Sequence, residues 1–220
     1  MHFRNKTTIV RTLRMMNYLE FKNRMFDLVC FSTHQVYVWK PDFDRNNFVR
    51  WVKKGLLLRL RRGYYTFPEF KSKPDYTLFF ANRIYRPSYI SLHTALAFYG
   101  IIPEAIVQIT SVTSLKTVSF QNEFGEYNYK SIKNELMFGY DIKTIANGQS
   151  LHLARPEKAI LDLLYLYPFY DTELEMENLR LDEDFLFDEL NLQRLENYLE
   201  KFKSKALVKR VNLFKSTYGL

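Results

Sequence analysis

The stretch WVKKGLLLRLRRGYYTF, residues 51–67, decides how the amino-terminal part of the chain is expected to fold. Every second residue from 56 to 60 is leucine, Gly63 follows two arginines, and an aromatic run returns the chain. Alternation interrupted by a glycine turn is typical of a two-stranded hairpin. We therefore predict a hairpin over residues 56–67 whose turn, Arg61-Arg62-Gly63, is cationic.

Three helices are predicted ahead of this hairpin. The first covers residues 13–28. The second starts at Ser32, with Gln35 completing a capping box. The third covers residues 45–54, with Asp44 as its cap and Gly55 as its stop. Three helices followed by a hairpin is the order of a winged helix-turn-helix, which we predict for residues 1–73.

The third helix has two different sides. Phe48, Trp51 and Val52 recur at helical spacing and are expected to face the other two helices. The opposite side carries amides and cations without a carboxylate, a composition suited to the bases and phosphates of a DNA major groove. The candidate DNA-binding residues are Asn46, Asn47, Arg50, Lys53 and Lys54 on the helix, and Arg59, Arg61 and Arg62 in the hairpin.

The positive charge of the chain is concentrated in its first third. The whole sequence has a formal net charge of +8, whereas residues 1–75 contain 16 Lys/Arg and 6 Asp/Glu, a local charge of +10. Residues 76–220 are therefore slightly acidic. This asymmetry indicates that one module meets a polyanion and the other has a different task.

Residues 74–220 are predicted to form a second domain of mixed helices and strands. A helix from Asp75 and another after Ser91 precede the strands, and a helix beginning with Pro156 follows them. Strands are predicted over residues 106–114, 115–121, 125–132, 136–145 and 150–153. An acidic segment, residues 171–190, leads to a pair of closing helices that starts at Asn191. The expected fold class is α+β: an N-terminal winged helix-turn-helix, then a mixed α+β domain with C-terminal helices.

Three motifs in this order resemble the AbiEi-type antitoxins of bacterial type IV toxin–antitoxin (abortive infection) systems. They are WVKKGLLLRLRRGYYTF (51–67), YISLHTALAFYGIIPE (89–104) and LARPEKAILDLLYLYP (153–168). The resemblance implies a cytoplasmic autorepressor that binds inverted repeats of double-stranded DNA in its own promoter, with DNA contacts at Asn46, Asn47, Arg50, Arg61 and Arg62. It also implies that the second domain opposes a nucleotidyltransferase-type toxin, without requiring a stable complex. Two half-sites would place a dimer on the DNA.

Two other functions are compatible with the sequence. Asp141 and Lys143 form an acid-x-lysine pair on a predicted strand, and Glu123 and Glu126 lie on or before an earlier one. Two of these carboxylates could gather Mg²⁺ beside the lysine for a nuclease. The same alternation also fits an exposed strand face. If the protein is neither a DNA-binding repressor nor a nuclease, the remaining alternative is a pure protein-interaction module. The acidic segment is either a solvated surface or a docking surface for a basic partner, a toxin or the basic domain of a second copy.

The sequence gives little support for other kinds of catalytic, phosphate-binding or metal site. The sequence has no glycine-rich phosphate loop and no nucleophile elbow, and its four histidines lack metal-ligand spacing. The single cysteine, Cys30, excludes an internal disulfide. No run of apolar residues reaches the length of a membrane span. We therefore expect no cofactor, no metal, no enzymatic activity and a cytoplasmic location.

Overall fold

The computed structural model describes residues 17–72, 75–104, 107–145 and 148–220, and it belongs to the α+β class. The helices are α1 (Tyr18–Met25), α2 (Thr33–Trp39), α3 (Asn46–Lys53), α4 (Asp75–Ile84), α5 (Leu92–Phe98), α6 (Pro156–Leu166), α7 (Glu173–Glu177), α8 (Glu183–Asp188), α9 (Leu192–Phe202) and α10 (Lys205–Tyr218). The strands are β1 (Cys30–Ser32), β2 (Leu58–Arg61), β3 (Tyr64–Thr66), β4 (Ser88–Ile90), β5 (Gln108–Thr113), β6 (Val118–Asn122), β7 (Gly125–Ser131), β8 (Tyr140–Thr144) and β9 (Ser150–Ala154).

The amino-terminal part combines α1–α3 with a small antiparallel sheet in the order β1-β3-β2. The hairpin predicted from the leucine alternation is present as β2 and β3. Phe21 lies at the centre of the core, fully buried, with its ring 4.6 Å from that of Trp51 and 5.5 Å from that of Phe31. Aromatic packing of this kind contributes both buried area and ring–ring attraction.

Local signals set the starts of these helices. Ser32 and Gln35 form the predicted capping box of α2. Asp44 accepts a hydrogen bond from the Asn46 amide at 2.9 Å, and Gly55 ends the α3 region with φ of +68°. In the described part of the predicted helix 13–28, Asn17 is extended and caps α1, which begins at Tyr18 and ends at Met25. Residues 13–16 lie outside the described residues.

The larger sheet has six strands in the order β6-β7-β5-β4-β9-β8. Its β5–β7 and β4–β9 pairs are parallel, and the others are antiparallel. The five predicted strands correspond to β5–β9, although residue 106, the predicted start of the first, lies outside the described residues. The strand predicted over residues 136–145 is shorter, because Asn134–Leu136 form a 3-10 helix and β8 begins at Tyr140. The sequence did not predict β1 or β4, since each is only three residues long.

A buried polar cluster, Tyr89, Ser91, Lys158 and Asp162, joins β4 to α6. Asp162 pairs with Lys158, both side chains being fully buried, and accepts hydrogen bonds from the Tyr89 and Ser91 hydroxyls at 2.8 Å each. Burial is the largest influence on both ion-pair partners: it lowers the pKa of Lys158 and raises that of Asp162, while their mutual attraction opposes both shifts. Ser91, predicted to cap α5, has its hydroxyl committed to Asp162 instead.

The carboxyl-terminal helices pack against α6. Asn191 starts α9 as predicted, its side chain accepting from the Arg194 amide at 2.8 Å. The acidic segment forms α7 and α8, and most of its carboxylates are exposed. Of the helices in the described ranges, none combines the length and apolar character that crossing a bilayer requires.

The two parts of the chain touch along β2. The Asn122 amide donates to the Leu60 carbonyl at 2.9 Å, and the Arg61 guanidinium donates to the Ile84 carbonyl at 3.0 Å. Residues 73 and 74, at the predicted domain boundary, lie outside the described residues, so the division into 1–73 and 74–220 stays a prediction.

Candidate nucleic-acid interface

The exposed side of α3 carries most of the predicted DNA-binding residues. A helix turns by about 100° per residue, which places Asn46, Val49, Arg50 and Lys53 within one sector of about 100°. All four side chains are exposed, and Val49 is 57 % exposed. Since α3 contains no carboxylate, the only charges in this sector are the positive ones of Arg50 and Lys53.

Asn47 does not belong to that sector, and its assignment to an exposed face is wrong. Only 2 % of its surface is accessible, and its side-chain oxygen accepts a hydrogen bond from Arg50. Asn47 sits one residue after Asn46, about 100° around the helix, and there it meets the buried side defined by Phe48 and Trp51. Its role in the structure is to hold the Arg50 side chain.

The hairpin turn lies beside α3. The Thr33 amide donates to the Gly63 carbonyl at 2.9 Å, which ties the turn to the start of α2. A groove of about 320 Å³ is lined by Arg62 and Gly63 from the turn and by Arg45 and Val49 from α3 and its N-cap. Arg62 is exposed, as predicted. The fold therefore brings Arg62 to the same surface as the exposed sector of α3.

Arg45, which was not among the sequence candidates, is part of this surface. It is exposed at the N-cap position of α3 and lines the groove with Arg62. The predicted helix already began at Arg45, but periodicity along one helix does not reveal which residues face a hairpin folded back from later sequence. We call Arg45, Asn46, Arg50, Lys53 and Arg62 the cationic face.

Arg59 and Lys54 flank the cationic face. Arg59 is exposed and pairs across the hairpin with Tyr65, whose ring stacks on Phe48 at 4.7 Å. Burial raises the pKa of Tyr65, and the nearby Arg59 and Arg45 charges oppose that rise. Lys54 is exposed at the C-cap of α3.

Arg61 is placed differently from the prediction, which assigned it to the turn and to DNA. It is the last residue of β2 and is half-buried. Its guanidinium lies over the rings of Tyr85, 4.5 Å from the centroid, and Phe120, 5.4 Å, and it donates to the Ile84 carbonyl. The β2–β3 register shifts between Arg59 and Arg61, so Arg61 does not follow the regular alternation from Arg59. Arg61 contacts the second part of the chain, and Arg62 is exposed at the turn.

Replacing Arg61 by alanine is expected to lower the free energy of unfolding by about 1–3 kcal/mol, because a charge-assisted hydrogen bond and two cation–π contacts are lost. Arg62→Ala should change it by less than about 0.5 kcal/mol, as for most exposed positions. Urea unfolding followed by circular dichroism measures both. Equal effects of the two variants would contradict the structural role of Arg61.

The structure does not bring the acid-x-lysine pair of the nuclease hypothesis together with Glu123 and Glu126. Asp141 lies on β8 at one edge of the large sheet, where Arg155 donates two hydrogen bonds to it at 2.7 and 3.0 Å. Glu126 on β7 and Glu123 lie toward the opposite edge, and Glu123 pairs with Lys71 at 2.9 Å. Lys143 is half-buried on β8. Throughout the described residues, no group of three His, Cys, Asp or Glu side chains is arranged to hold a metal ion.

The cationic face is free of internal acidic partners. Among ion pairs between described residues, none joins Arg45, Arg50, Lys53 or Arg62 to a carboxylate. Its charges are therefore available to a polyanion. In comparisons with known proteins, no family model and no curated protein sequence matches this chain.

Proposed function

We propose that residues 18–67 form a winged-helix module that binds double-stranded DNA, with α3 in the major groove and the β2–β3 turn as the wing. The observation that carries this proposal is the cationic face itself. An exposed helix side bearing Asn46, Arg50 and Lys53 lies beside an exposed hairpin arginine, Arg62, and these cations form no ion pair with a carboxylate of the described residues.

The side chains of this face divide into two roles. Arg50 and Asn46 project from the middle and start of α3, where bidentate contacts to guanine and adenine are made. Lys53, Arg45 and Arg62 lie around them and suit phosphate oxygens on the flanking backbone. The hydrogen bond from Arg50 to Asn47 holds the arginine in place before DNA arrives, which lowers the entropy cost of binding.

The resemblance to AbiEi-type antitoxins supports a more specific proposal. In it, the protein represses its own operon by binding inverted repeats as a dimer, and residues 74–220 oppose a nucleotidyltransferase-type toxin. Exposed carboxylates of the acidic segment, such as Glu173, Glu177 and Asp184, give that second part a surface of opposite sign to the cationic face. We propose no catalytic residue and no cofactor for this role.

Arg50→Ala is expected to weaken binding by about 1–3 kcal/mol and to reduce the preference for the specific sequence. Arg62→Ala should weaken binding to all duplexes alike and reduce the slope of log K against log salt by about 0.9, the value of one phosphate contact. The measurement is fluorescence anisotropy over a salt series, with two labelled duplexes. One has the sequence upstream of this reading frame, and the other is a scramble of the same composition.

Lys209→Gln is a suitable control, because Lys209 is exposed on α10. Like Arg50→Ala and Arg62→Ala, this variant removes one positive charge, but at a position remote in sequence from the cationic face. This variant should bind both duplexes as the unmodified protein does. An unmodified chain without affinity for either duplex at about 50 mM salt would favour the protein-interaction module instead. Binding that Arg50→Ala and Arg62→Ala leave unchanged would place the interface elsewhere.

A further inference from the structure

A second cationic surface lies in the α+β part, in a pocket between the end of α4 and strands β4, β8 and β9. The pocket has a volume of about 550 Å³. Its lining includes Arg83, Arg86, His152, Asn82 and Tyr140, and none of its lining residues is acidic. A concave site lined by several donors and no carboxylate is suited to an anion.

The two guanidiniums at this pocket lack acidic partners. In the described part of the chain, no carboxylate pairs with Arg83 or Arg86. Arg83 lies over the Phe79 ring at 4.8 Å, and Arg86 donates from Nε to the Asn82 carbonyl at 3.0 Å. These contacts hold both side chains in place and leave the terminal guanidinium nitrogens of Arg86 for a ligand. Both charges line the same pocket, where an anion would be attracted to each of them.

Asn82 supplies an unused donor. The residue is 6 % exposed, and its side-chain oxygen accepts a hydrogen bond from the His152 backbone amide. That bond fixes the orientation of the side-chain amide, so Nδ2 is the donor of the group. Nδ2 is buried without a hydrogen-bond partner among the described residues. An unsatisfied buried donor is costly, and a ligand oxygen in the pocket would satisfy it.

An aromatic surface borders the same donors. The Tyr140 ring stacks on the His152 ring at 5.4 Å and on the buried Tyr89 ring at 4.8 Å. Tyr140 is 36 % exposed, so part of this stack faces the pocket. His152, which is exposed, is the outer ring of this stack, so a nucleobase can lie against His152 and the exposed part of Tyr140.

We propose that this pocket binds a mononucleotide, its phosphate held by Arg83, Arg86 and Asn82 and its base placed against Tyr140 and His152. The phosphate oxygens accept from the guanidiniums and from Asn82 Nδ2. The volume is sufficient for a ligand of this size, since small-molecule sites occupy about 300–1,000 Å³. This proposal is independent of DNA binding by the cationic face.

The test is isothermal titration calorimetry of the full chain with AMP and, separately, with inorganic pyrophosphate. AMP should bind, and Arg86→Gln should lower the affinity for AMP by about tenfold or more through the loss of a charge-assisted contact. Arg86 is exposed, so this variant keeps the fold. Arg24→Gln, which removes an exposed arginine of α1 outside the pocket, should bind AMP unchanged.

Tyr140→Ala tests the contact with the base separately from the contact with the phosphate. This variant should lower the affinity for AMP by a factor of about five or more through the loss of base stacking. Its affinity for pyrophosphate should equal that of the unmodified chain. Pyrophosphate binding as tight as AMP binding, with no effect of Tyr140→Ala, would overturn the assignment to a nucleotide. Absence of binding by both ligands at millimolar concentration, or binding unaffected by Arg86→Gln, would overturn the site.

The His152 imidazole gives a signal specific to this pocket. Burial, then the Arg86 and Arg83 charges, lowers its pKa below the ordinary histidine value. A phosphate between these groups supplies negative charge, so AMP should raise the pKa of His152. NMR titration measures this, the resonance being assigned by its loss in His152→Asn. An unchanged His152 titration at saturating AMP would show that AMP binds elsewhere.

Discussion

Asp162→Ala is expected to lower the free energy of unfolding by about 3–5 kcal/mol, the cost of leaving a buried charge without its partner. The Lys158 side chain is fully buried, and Asp162 is its ion-pair partner. The substitution also removes the acceptor of the Tyr89 and Ser91 hydroxyls. Urea unfolding monitored by circular dichroism gives the free energy.

Two further variants establish the cause. Lys158→Met together with Asp162→Leu should recover much of the lost stability, because apolar side chains of similar volume replace the buried pair without an unpaired charge. Glu104→Ala breaks the exposed pair with Arg180 and should cost less than about 1 kcal/mol. A double variant as unstable as Asp162→Ala would assign the effect to packing rather than to charge.

Phe21→Ala should destabilise the amino-terminal part by about 3–5 kcal/mol, the usual range for removing a buried aromatic side chain. The chain has two tryptophans, Trp39 and Trp51, and both have rings within 6.4 Å of the Phe21 ring. Tryptophan fluorescence therefore reports on this part alone, whereas circular dichroism reports on the whole chain. Fluorescence should show the transition at lower urea concentration in the variant.

The predicted division at residues 73 and 74 adds a second expectation to this experiment. If the two parts unfold as separate units, the circular dichroism transition of Phe21→Ala splits and the fluorescence transition matches its early phase. Phe214→Ala, in the fully buried centre of α10, should instead leave the fluorescence midpoint close to that of the unmodified chain. Coincident transitions in both variants would contradict two separate domains.

Short-range signals in the sequence predicted much of the fold. The capping box at Ser32, the stop at Gly55 and the start at Pro156 each depend on a few neighbouring residues, and each is confirmed. Runs of β-branched and aromatic residues between turn residues predicted β5–β9. By contrast, β1 and β4 have three residues each, too few for a period to show, and they exist because neighbouring strands pair with them.

The candidate site was harder to predict for a related reason. Asn47 sits at the border between the two sides of α3, and only packing decides whether such a residue is buried. Arg61 looked like part of a cationic turn, but its contacts come from Tyr85 and Phe120, which follow much later in the chain. The ion pair within α6 has i, i+4 spacing that is common on helix surfaces, so its burial was not visible either.

The contact between Arg61 and Ile84 has a consequence for how the molecule responds as a whole. Ile84 ends α4, and its neighbours Arg83 and Arg86 line the proposed nucleotide pocket, so the segment 83–86 contacts both β2 and the pocket. If the cationic face binds a duplex as proposed, a small molecule that prefers one position of this segment would alter the affinity for that duplex. Thermodynamic reciprocity then requires the duplex to alter the affinity for that molecule by the same factor.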